Sequence, residues 1–246
     1  METMTDKERS FGLGANISAP SQQSLKIHHL SHDLRGPLNS ILGFAELLLE
    51  GIEGPLSEVQ KTDITAIYQS ARSLLQLINN IVDLSKLEAN QIIIDVKAVD
   101  LRQVTQSVLE ANPLEAIEIV VNMPDTLPLL RGDRTRIEQM ISNLIRFAAK
   151  LKKKGHIDLV LEPDGETVTI QVAAKEVVIP PEQLDELFEL VVKVDPAGRS
   201  ELGRGGLILP LARGLAEKHE GQMSVESEAG IGTTFYLRLP VYEETQ

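Results

Sequence analysis

The sequence predicts an α+β protein in two parts, a long helical hairpin that forms a four-helix bundle with a second copy, then an α/β two-layer sandwich. Three observations carry this. Apolar residues recur at alternating spacings of 4 and 3 in two stretches, Leu30–Leu48 and Ile64–Ile81, the pattern of coiled-coil packing. After about Gln91 that period stops, and short β-branched runs alternate with helical stretches. Only 3% of residues are aromatic while 42% are hydrophobic, so Leu, Ile and Val build the interior.

Composition excludes several classes of function. A chain of 246 residues with net charge −12 lacks the basic surface that phosphate backbones demand, and its few aromatics give no stacking platform, so nucleic acid is not an expected partner. With no cysteine, disulfides and thiolate metal sites are absent. No apolar run approaches the roughly 18 residues of a membrane span, and the N-terminus lacks a signal-peptide pattern. A cytoplasmic protein is expected.

Residues 1–20 are polar and aperiodic and read as a flexible tail. Residues 21–90 form the hairpin. Its first helix carries a seam at Leu30, Leu34, Pro37, Ile41, Phe44 and Leu48 and ends at Gly51 and the Gly54-Pro55 pair. Ser57 and Gln60 form a capping box that opens the second. That helix repeats the seam at Ile64, Ile67, Ala71, Leu74, Ile78 and Ile81 and runs to about Ala89. Flanking leucines at 38, 42, 75, 77 and 84 leave too wide an apolar face for a lone pair, hence the expected homodimer.

Residues 91–246 form the sandwich. Strands are expected at 91–99, 117–123, 156–162, 167–173, 222–227 and 233–239. Helices are expected from the Asp100 cap to Ala111, from the Asp133 cap to Lys152, over 180–190, and from Leu207 to His219, with a Gly-rich loop at 191–206.

The stretch that breaks helix rules is Ser31–Leu42, SHDLRGPLNSIL. Gly36 and Pro37 inside a helix cost about 1 and about 3 kcal/mol relative to Ala, and such violations mark sites selected for something other than stability. Just before them stand His32 and Asp33. With Leu30 at d, His32 falls at the outward f position, and a carboxylate one residue on can orient an imidazole as a nucleophile needs. His28 and His32 also have i, i+4 spacing, but no third ligand accompanies them and no metal site is expected.

These residues resemble a family. The hairpin with SHDLRGPLNSILGF is similar to the dimerisation and phosphoacceptor domain of bacterial sensor histidine kinases. The sandwich is similar to their ATP-binding domain, the fold shared with gyrase and the Hsp90 chaperones. The resemblance covers residues 22–240. It implies that His32 accepts a phosphoryl group, with Asp33 as its base, and exchanges it with an aspartate on a response-regulator receiver domain. Gly36 stands where receiver-phosphatase members carry Thr or Asn.

The nucleotide boxes depart from the family. Asn143 matches the first of two asparagines four residues apart, but the second, which holds Mg²⁺ in the family, falls on Phe147. Lys150 matches a basic position of that box. The family's Asp-x-Gly-x-Gly run reads Ala174, Lys175, Glu176, Val177 and Val178 here, so the adenine-binding carboxylate and both glycines are gone, and Glu176 and Val178 oppose ATP by charge and bulk. Gly203, Gly205 and Gly206 keep half of the last glycine box, a cradle of the kind that binds phosphate before a helix, while Ile208 replaces a glycine and Pro210 sits in the first helical turn.

Three readings follow. The first is a phosphorelay intermediate with His32 and Asp33 active, a defective ATP site and no cofactor. The second is a pseudokinase scaffold that binds a receiver or a partner histidine kinase. The third is an ATP-dependent protein-histidine kinase, using Mg-ATP through an atypical nucleotide site.

Overall fold

The structure is a computed structural model. It describes residues 22–243 except 53, 112, 113, 115, 190, 191, 195–199, 203 and 204, and gives the backbone alone at 22–29, 192–194 and 200–202. The segment 1–20 and Gly203 therefore lie outside the described residues.

Two long helices come first, α1 (Gln22–Leu49) and α2 (Glu58–Glu88). The helix α1 continues through Pro37. The capping box forms as expected: Gln60 N donates to Ser57 Oγ at 3.3 Å and Ser57 N donates to Gln60 Oε1 at 2.9 Å. The seam, however, lies one position over from the expected one in α1. Ser31, Leu38 and Ala45 are buried, with Arg35 and Leu42 half-buried between them and Leu49 half-buried beyond. The expected Leu30, Leu34, Ile41 and Phe44 are exposed. In α2 the expected Ala71 and Ile78 are buried, whereas Ile67, Leu74 and Ile81 are exposed and Tyr68, Leu75 and Val82 turn inward. Each helix thus carries two adjacent apolar stripes of one period, and period alone does not say which one faces the other helix of the same chain.

The second part is the expected sandwich. Its strands are β1 (Lys97–Val99), β2 (Ile117–Asn122), β3 (Leu130–Gly132), β4 (Gly155–Asp164), β5 (Thr167–Lys175), β6 (Val192–Val194), β7 (Ser200–Leu202), β8 (Gln222–Glu228) and β9 (Gly232–Pro240). Its helices are α3 (Leu101–Ala111), α4 (Arg134–Lys152) and α5 (Ile208–Lys218). The main sheet has the order β2-β4-β5-β9-β8, with β2 parallel to β4 and the other pairs antiparallel. Strands β4 and β5 alternate buried with less buried residues, so one face meets α3, α4 and α5 over an aliphatic core that includes Ile141, Leu144, Ile170 and Leu237.

Three expectations are corrected. The run 91–99 is a strand only at Lys97–Val99, which pairs with the unforeseen β3; Ile92 leaves the ladder to join the core while Ile93 points outward. The segment 180–190 makes not one helix but two 3-10 turns, Pro181–Gln183 and Asp185–Phe188, closed by bonds from Leu184 N to the Pro181 carbonyl and from Leu187 N to the Leu184 carbonyl. The 191–206 loop contains the β6–β7 pair.

The two parts meet along the C-terminal half of α2, where Arg72 Nη2 donates to the Ala111 carbonyl at 3.1 Å. Asp83 Oδ2 accepts from Arg136 Nη1 at 2.9 Å and from Gln139 Nε2 at 2.8 Å, and Arg136 also donates to Gln139 Oε1 at 2.8 Å. Farther along, a Cβ on Gly214 of α5 would overlap Leu87 Cδ2. Lys218 Nζ donates to Asn90 Oδ1. A glycine inside a helix costs about 1 kcal/mol relative to Ala; here it admits the leucine.

Candidate functional site

The helix α1 presents His32 and Asp33 to solvent, with side chains 83% and 79% exposed and Nδ1 3.6 Å from Oδ1. That separation is just beyond a hydrogen bond, and a small side-chain rotation closes it. The outward position follows from the seam. Ser31 is buried on one side of His32 and Arg35 is half-buried on the other, so the imidazole projects away from α2. Pro37 has no amide to give the Asp33 carbonyl. Ser40 Oγ donates to the Gly36 carbonyl at 3.2 Å, and a Cβ on Gly36 would meet nothing within 4 Å. Arg35 reaches across to α2, where its Nε and Nη2 donate to Asn79 Oδ1 at 3.1 and 2.8 Å.

Below this turn lies a groove of about 410 Å³ between the helices, lined by Leu38, Ile41, Ala66, Ile67, Ala71 and Leu74 among others. It belongs to the exposed apolar stripe.

A second group of residues surrounds α4 and the end of β5. Asn143 is 1% exposed and its Nδ2 has no hydrogen-bond partner. One turn on, Phe147 is buried and meets Phe235 edge to face, with centroids 5.5 Å apart and planes at 89°. Lys150 is exposed near the helix end. Ala174 is fully buried and joins the core, and Val178 is exposed. Among the described residues, no cluster of three His, Cys, Asp or Glu could hold a metal ion.

Glu176 differs from expectation. Its carboxylate accepts from Lys152 Nζ at 3.0 Å, and the same ammonium donates to the Lys175 carbonyl at 2.6 Å. The Lys152 hydrogen bond and charge hold the Glu176 carboxyl below its usual range. The extra negative charge is therefore matched inside the chain and does not simply repel an anion. Glu176 has φ 67, the left-handed conformation that glycine adopts most readily, so the backbone of a glycine position persists under a different side chain.

Each described glycine of the last box has a structural cause. A Cβ on Gly205 would overlap the Leu187 carbonyl oxygen, and Gly206 has φ +57. Gly205 and Gly206 lie just before α5. Pro210, in its first turn, is buried.

Sequence reasoning missed a hydroxyl relay beside Val178. Ile179 N donates to Ser227 Oγ at 2.8 Å, Ser227 and Thr233 hydroxyls lie 2.8 Å apart, and Thr233 Oγ1 donates to the Val177 carbonyl at 2.7 Å. It ties segment 177–179 to β8 and β9. Ser227 and Thr233 are register partners across those strands, a pairing that the alternation of the two strands could have suggested.

Comparison with known proteins agrees with both parts. Residues 22–90 match the family described as the His Kinase A (phospho-acceptor) domain, and residues 132–243 match the histidine kinase-, DNA gyrase B- and HSP90-like ATPase family. The chain is 32% identical over 218 residues to the circadian input-output histidine kinase CikA of Synechococcus elongatus, covering 86% of this chain and 29% of CikA. It is 32% identical over 219 residues to the histidine protein kinase DivJ of Caulobacter vibrioides, covering 87% of this chain and 36% of DivJ. Among solved structures, full-length ShkA in complex with AMPPNP superposes with a TM-score of 0.67 at 28% identity, over 91% of this chain and 47% of ShkA. The chain thus spans only part of these relatives. Among the described residues, no helix is long and apolar enough to cross a membrane.

Proposed function

Since the chain is a sensor histidine kinase core, built from a phosphoacceptor-type hairpin and an ATPase-type sandwich, we propose that it works in two-component signalling as a phosphotransfer protein that takes its phosphate from another protein. The observation that carries this reading is the contrast between the two sites. His32 is open to a partner with Asp33 beside it. The sandwich has core hydrocarbon at two positions where the family binds nucleotide and metal, Ala174 and Phe147.

The chemistry is a displacement at phosphorus. A receiver aspartyl phosphate presents its phosphoryl group to His32 Nε2, whose lone pair forms the P–N bond as the P–O bond breaks and the aspartate leaves as a carboxylate. The ring gains positive charge in this step. The Asp33 carboxylate, 3.6 Å from Nδ1, stabilises that charge by accepting the Nδ1 proton in a hydrogen bond. The reverse step passes the group to a second receiver.

Mg-ATP does not fit the sandwich in the family manner. Phe147 offers no oxygen to a hard cation, and the Ala174 methyl cannot accept from an adenine amino group. The exposed stripe of Leu34, Ile41, Phe44, Ile67, Leu74 and Ile81 supports a homodimer in which a second hairpin covers it, since an apolar row of this length in water is costly.

One observation favours the rival reading, an ATP-dependent histidine kinase: the unpartnered Asn143 amide, a buried donor of the kind a ligand could satisfy. The test is a paired one. Receiver domains loaded with acetyl phosphate are expected to label wild type and not His32→Ala, while Mg-ATP labels neither. Acid-labile label from Mg-ATP on wild type but not on His32→Ala establishes the kinase. Failure of every receiver to label His32 removes the relay and leaves a scaffold that acts by binding a receiver or a partner histidine kinase.

A further inference from the structure

We propose that Arg35 is a positioning residue for His32, acting through Asn79 and not on the phosphoryl group; the inference rests on the phosphotransfer reading above. Arg35 follows His32 by less than one helical turn, and a guanidinium so close to a phosphoacceptor is well suited to an incoming anion. The structure gives it other work. Its Nε and Nη2 both donate to Asn79 Oδ1, and the side chain is half-buried while His32 and Asp33 are exposed.

The place of this pair in the hairpin explains its value. Position 35 belongs to the inward stripe 31, 35, 38, 42, 45, where a coiled coil would otherwise carry an aliphatic residue. Polar pairs in such a seam cost stability and fix register, because sliding one helix leaves the buried groups unpaired. Directly beneath, Leu38 packs with Ile78, the neighbour of Asn79, so the hydrogen bonds close the upper end of the hairpin's apolar cluster.

The backbone here needs such support. Pro37 withdraws one amide from the helical ladder, and Gly36 adds flexibility. Two of the five residues after His32 thus weaken the helix that aims it. The Arg35–Asn79 bonds set the height and rotation of that turn relative to α2. A receiver that grips both helices meets His32 in one orientation only when this tether is intact.

The test uses the full chain and two phosphoryl sources. Phosphoramidate, a small donor, needs only an accessible imidazole; receiver domains loaded with acetyl phosphate need docking across both helices. Arg35→Ala and Asn79→Ala are each expected to slow transfer from the receiver at least tenfold, and the double variant no more than either alone. Labelling by phosphoramidate should stay within twofold of wild type. Asn79→Asp, which still accepts both N–H groups, should retain transfer. Slow transfer in Arg35→Ala with normal transfer in Asn79→Ala would mean that Arg35 acts on the phosphoryl group and would overturn the proposal. So would an equal loss with phosphoramidate, or losses that multiply in the double variant.

Amide hydrogen exchange over residues 33–41 separates this proposal from the reading it rests on. If wild type takes phosphate from phosphoramidate but from no receiver, the phosphotransfer reading fails. The tether then stands if both alanine variants exchange at least tenfold faster there, and falls if they do not.

Discussion

Restoring the family's second asparagine by Phe147→Asn is expected to damage the fold without restoring nucleotide binding. Phe147 is 2% exposed in the sandwich core and meets Phe235 edge to face at 5.5 Å. Truncating a buried Phe costs about 3–5 kcal/mol, a figure that includes an aromatic pair of about 0.5–1.5 kcal/mol. The new amide enters an apolar site, where an unsatisfied polar group costs about 1–3 kcal/mol more. The sum, roughly 4 kcal/mol or more, is a large part of the 5–15 kcal/mol that holds a typical domain. Urea unfolding followed by circular dichroism is the assay. At a slope of about 3 kcal/mol per molar urea, the midpoint should fall by more than about 1 M. Phe147→Leu keeps the site apolar and should lose only about 1 kcal/mol. Calorimetry should show no Mg-ATP binding by either variant. A Phe147→Asn protein with the wild-type midpoint would refute the packing account, and one that gains Mg-ATP binding would refute the view that this position alone is structural.

Three further outcomes are expected. Gly205→Ala should lower the melting temperature by the equivalent of about 1–3 kcal/mol of overpacking, because its Cβ meets the Leu187 backbone; Gly206→Ala, strained only by its positive φ, should cost about 1 kcal/mol. Asp83→Ala should cost about 1–3 kcal/mol by stranding the Gln139 Nε2 donor and leaving the Arg136 guanidinium without its carboxylate, and Asp83→Ala with Arg136→Ala should cost less than the sum, measured as a double-mutant cycle in urea. The Glu176–Lys152 pair gives a pH dependence of defined sign. With the folded carboxyl lowered from 4.5, its contribution is present above 4.5 and lost as the pH falls through the folded value. Glu176→Gln should therefore lose less stability than wild type between about pH 7 and about pH 3.5, a difference that shrinks in high salt because the carboxylate is exposed.

Local chemistry was well written in the sequence. Asp133 announces α4, and the helix runs from Arg134 to Lys152 as its cap and period require. The Ser57–Gln60 box opens α2 for the same reason. Features set by contacts distant in sequence were not legible. The one-residue offset of the α1 seam depends on which stripe α2 occupies. The short β3 exists because β1 lies against it. The pairing of Glu176 with Lys152 spans 24 residues. The close approach of Gly205 to the Leu187 carbonyl is likewise one that no local pattern associates with it.

The attachment of the sandwich to the C-terminal half of α2 makes the other half a lever. Asp83, Leu87 and Asn90 fasten its last turns and Arg72 Nη2 donates to the Ala111 carbonyl at 3.1 Å, while residues 58–71 of α2 (Glu58–Glu88) extend beyond these contacts, a rod of about 21 Å at 1.5 Å per residue. A tilt of about 5° at the fastening would carry the far tip of the hairpin by about 2 Å over that length. Any force applied to the sandwich, by a docking partner or by a domain joined to it, would be magnified as displacement at the opposite end. Asn79, which holds Arg35, lies between Arg72 and Asp83, within the fastened span, where the same tilt moves atoms least. His32, one turn from that span, keeps its aim while the far end of the hairpin swings.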